Sequence, residues 1–438
     1  MSKRFGWLLG MAVLVAIGTL VACGVTYNHA NDGLVLVSSQ GSGLLESYVF
    51  SISSGSIGPV NNTPTDTGNL TCVLKGVPSQ VLIDPAGLYA YSILTATPST
   101  CGSGSATGIQ AFKIDPVGTL TSVGPLVTDP NPTAMVMDQK GKFLYVAEGT
   151  NSAKNANTSL PSKPCPGTKA QYEFCVYAIG SGGSLTPVAA DYVLPQTPQV
   201  PNFSALALTP TALPGLLNGV QQAVCSSPGN NPPPNEFLYA VDSVNYEVWA
   251  FTVNLSTGAI GGPGSGNQVI GYPTAPVPFG ITVDPCDRFV YVSNGVNNSV
   301  SAFALCEFVT QGTCPLANGT LLQVSGSPFS LQNGAETPGP LLVDPFGNYL
   351  YVLDTDSNQI SMLHISQVTG SLTSITPPTV STGVQPTSLV IRSDDSWLFV
   401  ANFGSQDMSQ FSIVPNTGVL SASPTVATDN WPWGVAVK

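Results

Sequence analysis

The chain alternates short apolar runs with short polar turns, a pattern that predicts β-strands rather than helices. The clearest unit spans residues 337–374 and contains four runs joined by turns. The runs are Leu341–Val343, Tyr349–Leu353, Ile360–Ile365 and a weaker one that includes Leu372 and Ile375. The second run has the aromatic and β-branched residues that are typical of a buried strand. Four such strands form one antiparallel sheet of the size of a propeller blade.

Three independent markers show that this unit recurs along the chain. A proline precedes the first strand at Pro78, Pro132, Pro201, Pro278, Pro338, Pro386 and Pro432. Second strands follow as Leu34–Val37, Leu88–Ser92, Phe143–Val146, Phe237–Ala240, Phe289–Val292, Tyr349–Val352 and Trp397–Val400. The turn between third and fourth strands carries Gly55, Gly118, Gly183, Gly258, Gly319, Gly370 or Gly418. Each marker occurs seven times, and a lone blade would expose both faces, so we expect the copies to stack in a seven-bladed ring.

The two ends of the repeat predict how the ring closes. Residues Trp431–Lys438 read as a first strand with no further strand after it. The chain from Gly33 onward supplies second, third and fourth strands with no first strand before them. We therefore expect one all-β domain over residues 33–438, a seven-bladed β-propeller whose C-terminal strand completes the N-terminal blade. This arrangement leaves no unpaired radial edge.

The repeated core reads P-x-x-x-x-V-D-P-x-G-x-F-L-Y-V, with Asn or Asp just after it. This core resembles the YVTN-type, lactonase-like seven-bladed β-propellers over nearly all of residues 33–438. The resemblance implies the fold. It is less specific for activity, because the repeat occurs in enzymes and in non-catalytic surface proteins alike. Enzymes similar to this family open or close a lactone ring.

The first 22 residues read as a signal peptide rather than as part of the fold. Lys3 and Arg4 precede an apolar run, Trp7–Leu20, that is short for a membrane span. The next residues, Leu20-Val21-Ala22-Cys23, resemble a bacterial lipobox, which implies lipid attachment at Cys23 and a tether over residues 23–32. An ordinary secretory signal is the alternative. We expect a monomer in the cell envelope, held to a membrane by the lipid, at the outer membrane, the cell surface or in the periplasm.

Charge and cysteine content narrow the partners. Only 8% of residues are charged and the formal net charge is −12, so nucleic acid is excluded as an expected partner. Beyond Cys23 there are eight cysteines, an even number in an exported protein. The proposed pairs are Cys165 with Cys175, Cys306 with Cys314, Cys72 with Cys101 and Cys225 with Cys286. No spacing is typical of a zinc or haem site, so we expect no cofactor; Ca²⁺, as a structural or bound ion, is the one metal that the sequence leaves open.

The residue just past each second strand is the candidate ligand site. The seven copies are Ser39, Leu94, Glu148, Asp242, Asn294, Asp354 and Asn402. Loops after second strands line the mouth of a propeller channel, so these polar side chains would form an acidic funnel suited to Ca²⁺, a polyol or a sugar. Trp433 would reach the same entrance and stack on a sugar. The alternatives are that Asn and Asp cap their own loops and that Trp433 anchors the closure.

No catalytic residue is assigned. Beyond the signal peptide the histidines are His29 and His364, and the arginines are Arg288 and Arg392. His29 lies in the tether, His364 in a third strand, and both arginines lie beside turns of the opposite face. An acidic mouth would also repel a phosphorylated substrate. The sequence therefore favours a lipid-anchored binding module for a glycan, a cation or an envelope partner. The alternative is a lactonase-like hydrolase that acts on an unphosphorylated lactone at the channel mouth.

Overall fold

The computed structural model describes residues 32–41, 43–60, 65–66, 76–96, 107–128, 131–148, 174–188, 201–209, 236–262, 270–306 and 319–438. Among these residues the strands form seven antiparallel sheets, which we number as blades 1 to 7 in the order of their second strands. No helix in the described ranges has the length and apolar character needed to cross a membrane. The predicted signal peptide, Cys23 and most of the tether lie outside these ranges, and their roles stay predictions.

The strand bounds follow the predicted repeat. Blade 1 contains β1 (Asp32–Ser39), β2 (Leu44–Ser51), β3 (Ile57–Pro59) and β4 (Thr65–Asp66); blade 2 contains β5 (Gly76–Ile83), β6 (Tyr89–Ala96), β7 (Gly108–Ile114) and β8 (Leu120–Thr128). Blade 3 contains β9 (Pro132–Met137), β10 (Phe143–Glu148), β11 (Phe174–Ile179) and β12 (Leu185–Pro187). Blade 4 contains β13 (Phe203–Leu208), β14 (Glu236–Asp242), β15 (Glu247–Val253), β16 (Ile260–Gly261) and β17 (Ile270–Pro273).

The remaining blades repeat the same order. Blade 5 contains β18 (Pro278–Val283), β19 (Phe289–Asn294), β20 (Ser299–Leu305), β21 (Leu321–Gln323) and β22 (Phe329–Ser330). Blade 6 contains β23 (Pro338–Val343), β24 (Tyr349–Asp354), β25 (Gln359–Ile365) and β26 (Leu372–Ser381). Blade 7 contains β27 (Pro386–Ile391), β28 (Trp397–Asn402), β29 (Asp407–Val414) and β30 (Val419–Ala427), and the last strand is β31 (Pro432–Val437).

The closure predicted from the two chain ends is confirmed. Strand β31 pairs antiparallel with β1, with Val435 opposite Val37 and Val437 opposite Val35, and so becomes the first strand of blade 1. The first strands β5, β9, β13, β18, β23, β27 and β31 contact their neighbours in a closed cycle. Joining the two ends in one sheet leaves no open radial edge.

Neighbouring blades share their cores. The described residues contain seven hydrophobic clusters, and each one combines side chains from two adjacent blades. One of them joins Phe50 of blade 1 to Trp397 and Phe399 of blade 7, across the closure. A blade therefore buries its two faces against its neighbours, and the ring has no separate central core.

A repeated contact fixes the spacing between blades. In four second strands a buried tyrosine hydroxyl donates a hydrogen bond to the carbonyl of the marker glycine in the next blade. The pairs are Tyr91 with Gly183, Tyr239 with Gly319, Tyr291 with Gly370 and Tyr351 with Gly418, at 2.9–3.1 Å. At the closing junction Phe399 takes the place of the tyrosine, and Trp397 Nε1 donates instead to the Ile52 carbonyl at 3.1 Å.

The aspartates after the first strands are turn residues, as the sequence predicts. Asp84, Asp138, Asp284 and Asp344 each accept hydrogen bonds from two successive backbone N–H groups at the start of the second strand. In blade 4 the Thr209 hydroxyl takes this role and accepts from the Phe237 N–H at 2.8 Å. A side-chain oxygen that replaces a missing backbone acceptor stabilises a tight turn.

The predicted cysteine pairs lie only partly within the described residues. Cys175, Cys286 and Cys306 are disulfide-bonded, and Cys175 and Cys306 are fully buried. The residues predicted to pair with them, Cys165, Cys225 and Cys314, and the predicted pair of Cys72 and Cys101, fall outside the described ranges. The connectivity therefore stays a prediction.

Candidate functional site

The strand order defines two faces of the ring. We call the face with the loops between second and third strands and the connections between blades the mouth face. The opposite face, which has the turns between first and second and between third and fourth strands, is the turn face. The predicted ligand residues lie where second strands end at the mouth face. The marker prolines lie beside them, because Pro278 pairs with Asn294, Pro338 with Asp354 and Pro386 with Asn402.

The seven residues that follow the second strands, which we call the ring residues, lie at equivalent positions in the blades. Their side chains, however, are buried. Ser39, Asp242, Asn294, Asp354 and Asn402 are fully buried, and Glu148 is 4% exposed. Leu94, the apolar member, is 2% exposed. The predicted backbone positions therefore recur from blade to blade, but the polar side chains at these positions are buried and do not face solvent. Their ligand-binding role stays a prediction.

Three of these side chains bind a serine on the neighbouring strand of the same blade. Asn294 Nδ2 donates to Ser301 Oγ at 3.1 Å, and Asn402 Nδ2 donates to Ser409 Oγ at 2.9 Å. In blade 6 the direction is reversed, because Ser361 Oγ donates to Asp354 Oδ2 at 2.7 Å. This bond ties the end of the second strand to the start of the third. It matches the loop-capping alternative that the sequence left open.

In blades 1 and 4 the buried ring residue is also hydrogen-bonded, but its partner is not a serine of the third strand. Asp242 Oδ1 accepts from the N–H groups of Asn202 and Val244 at 3.1 and 3.0 Å, and Oδ2 accepts from Asn245 Nδ2 at 2.6 Å. In blade 1, Ser39 Oγ donates to the buried Glu46. Glu46 also accepts from the Asp429 N–H at 3.0 Å, and burial raises its pKa. Sequence reasoning missed Glu46, although its spacing of seven residues from Ser39 matches Asn294 and Ser301.

Asp354 is the ring carboxylate with an uncommitted oxygen. Its Oδ2 accepts from Ser361 and, at 3.4 Å, from Gln359 Nε2, whereas the buried Oδ1 has no hydrogen-bond partner. Burial raises its pKa to about 7, against the smaller opposing effect of the two hydrogen bonds. A carboxylic acid with this pKa exchanges its proton near neutral pH.

In four blades the residue before the marker proline has an unusual backbone at the mouth face. Val277, Thr337, Gln385 and Trp431 have φ between 52° and 60°, in the left-handed region that bulky L-residues rarely adopt. Each is exposed. Their carbonyls accept from the N–H just after the ring residue, at 2.8–3.1 Å, which links each connection to the ring. A strained backbone of this kind persists only where the surrounding contacts stabilise it by more than the strain costs.

Aromatic side chains meet on the mouth face where blade 7 meets blade 1. The indoles of Trp431 and Trp433 are 50% and 38% exposed. Phe403 lies between them, stacked on Trp431 with centroids 5.9 Å apart and perpendicular to Trp433 with centroids 5.8 Å apart. The sequence singled out Trp433 but missed Phe403, whose signal is an aromatic residue directly after a ring asparagine. We call Trp431, Phe403 and Trp433 the aromatic trio.

Charge is distributed unevenly between the two faces. The six lysines and arginines of the described ranges lie on the turn face or at strand ends beside it; they are Lys113, Lys140, Lys142, Arg288, Arg392 and Lys438. The described part of the mouth face carries acids and no cationic side chain; the acids are Glu46, Glu148, Asp242, Glu247, Glu336, Asp354, Asp356, Asp407 and Asp429. Such a face has a negative potential and repels anions.

The cationic and imidazole groups have local roles. Arg288 donates through Nε to Asp284 Oδ2 at 2.8 Å and also binds Gln367 of blade 6. Arg392 pairs with Asp394 in its own turn. His364 is exposed on β25, where its ring meets Tyr349 edge to face with centroids 5.9 Å apart. None of the three lies at the mouth.

The predicted calcium site has no support in the described ranges. Within them, no group of three or more His, Cys, Asp or Glu side chains is arranged to hold a metal ion. The ring carboxylates lie in different blades; Asp242 binds groups of its own loop, and Asp354 binds Ser361 of the adjacent strand. Calcium binding stays an untested prediction.

One family model matches the C-terminal part of the chain. Residues 315–437, which contain blades 6 and 7 and the closing strand, match the model described as lactonase, 7-bladed beta-propeller. Comparison with curated protein sequences finds no match.

Solved structures share the whole ring at low identity. The periplasmic gluconolactonase of Pseudomonas aeruginosa is 18% identical, with a TM-score of 0.64 and coverage of 93% of this chain and 99% of that chain. A Bacteroides fragilis protein provisionally assigned as a 6-phosphogluconolactonase is 16% identical, with a TM-score of 0.64 and coverage of 93% and 98%. A Lactobacillus plantarum protein is 15% identical, with a TM-score of 0.64 and coverage of 93% and 99%. At these identities the likeness establishes the fold.

Proposed function

We propose that this chain, a seven-bladed β-propeller of the lactonase-like type, hydrolyses a neutral lactone at its mouth face. The observation that carries the proposal is the lactonase family match over residues 315–437, a segment that contains Asp354. The structural likeness to a gluconolactonase supports the same reading of the ring. The enzyme hypothesis therefore takes precedence over the binding module that the sequence favoured.

The charge of the mouth face decides which lactone is the better substrate. A phosphorylated sugar lactone needs cationic anchors, and the described mouth residues supply none. The acids that surround the entrance would repel a phosphate group over distances within a Debye length. A neutral aldonolactone meets no such barrier, and its hydroxyl groups can donate to carboxylates and backbone carbonyls.

Asp354 is the proposed general base. Its Oδ1 is buried and has no hydrogen-bond partner, and a buried polar atom of this kind is a place where an ordered water binds. The carboxylate would take one proton from that water as its oxygen bonds to the lactone carbonyl carbon. The ring C–O bond then breaks, and the same proton returns to the leaving alkoxide. One water and one lactone give one hydroxy acid, with no cofactor.

The test measures acid release with a pH-stat, corrected for spontaneous hydrolysis, using glucono-1,5-lactone and its 6-phosphate. We expect turnover of the neutral lactone and little turnover of the phosphate ester. D354N should lower kcat by about 100-fold or more, the usual contribution of a general base. The matched control is D356N, which removes an exposed carboxylate from the same turn.

The proposal fails if the wild-type protein turns over no lactone in a panel of ring sizes, or if D354N and D356N are equally active. Loss of folding would not confuse the result. Asn is the residue that blades 5 and 7 carry at the position of Asp354, where it binds the equivalent serine.

The second candidate function is a binding module without turnover. It is favoured by the burial of the ring side chains and by their bonds to their own loops. A ligand that raises the melting temperature but releases no acid would support this second function.

A further inference from the structure

The aromatic trio is not required by the blade architecture. The position of Trp431 is taken by Thr337 in blade 6 and Gln385 in blade 7, and that of Trp433 by Gly339 and Thr387. The residue after the ring position is Phe403 in blade 7 but Gly295 in blade 5 and Thr355 in blade 6. Blade 6 forms the same strands and connections with small or polar residues at all three positions, whereas blade 5 carries Val277 and Phe279 at the first two. The fold therefore does not account for three aromatic rings at one junction.

The trio is held in place by backbone contacts. The Trp431 carbonyl accepts from the Gln40 N–H at 2.9 Å. The Trp433 carbonyl accepts from Thr387 Oγ1 at 2.8 Å. Because Trp431 is nearly parallel to Phe403 and Trp433 is perpendicular to it, the two exposed indoles are steeply inclined to each other. They form an angular apolar corner on the mouth face.

Polar and acidic groups surround this corner. Gln385 and Asn430 are exposed beside it, and Asp429 is partly exposed next to Asn430. Gln385 precedes the first strand of blade 7, and Asn430 precedes Trp431. No cationic side chain lies on the described part of this face. The site thus combines aromatic faces with hydrogen-bonding side chains and a negative potential.

We propose that the aromatic trio binds a neutral saccharide whose equatorial hydroxyl groups leave an apolar C–H face, such as a β-linked glucosyl unit. The C–H face stacks on the exposed indoles, since aromatic rings offer a polarisable apolar surface. Gln385 and Asn430 can then bind the hydroxyl groups at the sugar rim. The negative potential disfavours uronic acids and other anionic sugars. This site is independent of lactone hydrolysis.

The experiment titrates the protein with cellohexaose by isothermal titration calorimetry, with oligogalacturonide as the anionic comparison. The variant is W431Q/W433T, which introduces the residues that blade 7 carries at the same two positions, Gln385 and Thr387. The matched control is F279T, which removes an exposed aromatic residue, 48% exposed, from the mouth face of blade 5. Melting curves establish that each variant is folded. The single variant W433T serves if the double variant does not fold.

We expect saturable binding of cellohexaose by the wild type and by F279T, and affinity lower by roughly 10-fold or more in W431Q/W433T. Oligogalacturonide should not compete. The proposal is overturned if the wild type binds no cellohexaose, if the double variant binds as tightly as the wild type, or if oligogalacturonide binds equally well. Lactone turnover is measured separately on the same variants, so the two proposals can fail independently.

Discussion

Asp354 links the stability of the propeller to pH. Its ordinary pKa of 3.8 rises to about 7 in the folded protein because the carboxyl group is buried. Between these two values the folded state holds a proton that the unfolded state has released. The contribution of Asp354 to stability is therefore fully present below the ordinary pKa and is lost as pH rises through the window from about 4 to about 7. The buried Asp344, with a pKa of about 6, contributes in the same direction.

The D354N variant should remove the contribution of Asp354 to this pH dependence. Asn cannot ionise, so the variant should lose this part of the pH dependence, on the order of 2–4 kcal/mol in the free energy of unfolding between about pH 4.5 and pH 8. Urea denaturation at several pH values measures it. D356N should keep the wild-type slope. An unchanged slope in D354N would show that the carboxyl group is not buried as the structure has it.

At the residue scale, the positions of the ring residues were predictable from the sequence, but the orientations of their side chains were not. The repeat located the residue after each second strand because strand length and turn chemistry recur at regular spacing. It did not reveal that Asn294 and Asn402 turn toward Ser301 and Ser409. That choice depends on a hydrogen bond to the adjacent strand, and the bond exists only once the two strands are in register.

At the scale of elements, the contact between a marker glycine and the preceding blade sets the blade spacing. Gly370 has φ of 73°, its carbonyl accepts from Tyr291, and a Cβ at this position would overlap the Phe289 ring. An L-residue here would suffer both an unfavourable backbone and a collision with a buried aromatic side chain. Both effects act at the interface between blades 5 and 6.

We predict that G370A lowers the free energy of unfolding by about 2–4 kcal/mol, through left-handed strain and overpacking combined. The control G334A isolates the first effect, since Gly334 also has a positive φ, 67°, but a Cβ there meets nothing within 4 Å. It should cost about 1 kcal/mol. Chemical denaturation of both variants measures the difference, and equal losses would refute a steric role for Phe289.

The closing junction uses a different contact from its neighbours. Phe399 has no hydroxyl group to bind the marker turn of blade 1, and Trp397 supplies its indole N–H instead. The Trp397 ring also covers Gly55, where a Cβ would overlap it. At this junction Trp397 therefore has two roles. It donates the hydrogen bond, as Tyr291 does between blades 5 and 6, and it covers the marker glycine, as Phe289 does there.

At the scale of the whole molecule, β31 is the element that makes the ring continuous. It pairs with β1 in blade 1 and contacts the first strands β27 and β5 on its two sides. Its side chains Val435 and Ala436 are 6% exposed and belong to the clusters of blades 1 and 7 and of blades 1 and 2. Removing it would uncover an edge of blade 1 and one side of two interfaces.

We predict that deletion of residues 432–438 lowers the melting temperature by roughly 10 °C or more, because several kcal/mol of burial and an entire strand pairing are lost. Deletion of Lys438 alone is the control. It removes one exposed bond from its Nζ to the Ala86 carbonyl and one backbone bond to Leu34. Similar melting of both truncated proteins would contradict the role of β31 in closure. Differential scanning calorimetry makes the comparison.

The sequence by itself determined the number of blades, the strand order and the closure. These features depend on local turn chemistry and on the alternation of apolar runs, which are written at fixed spacing in the chain. It also identified the aspartates that bind the turns after first strands, because an Asx turn involves only residues a few positions apart.

Tertiary structure alone decided what lies at the mouth. Ring closure brings Phe403 of blade 7 against Trp431 and Trp433, the residues on either side of Pro432. Burial decided that Asp354 has a raised pKa and an oxygen without a hydrogen-bond partner. Each of these properties depends on distances between residues of different strands or blades. Such distances are set when the seven sheets pack together, and no local pattern in the chain specifies them.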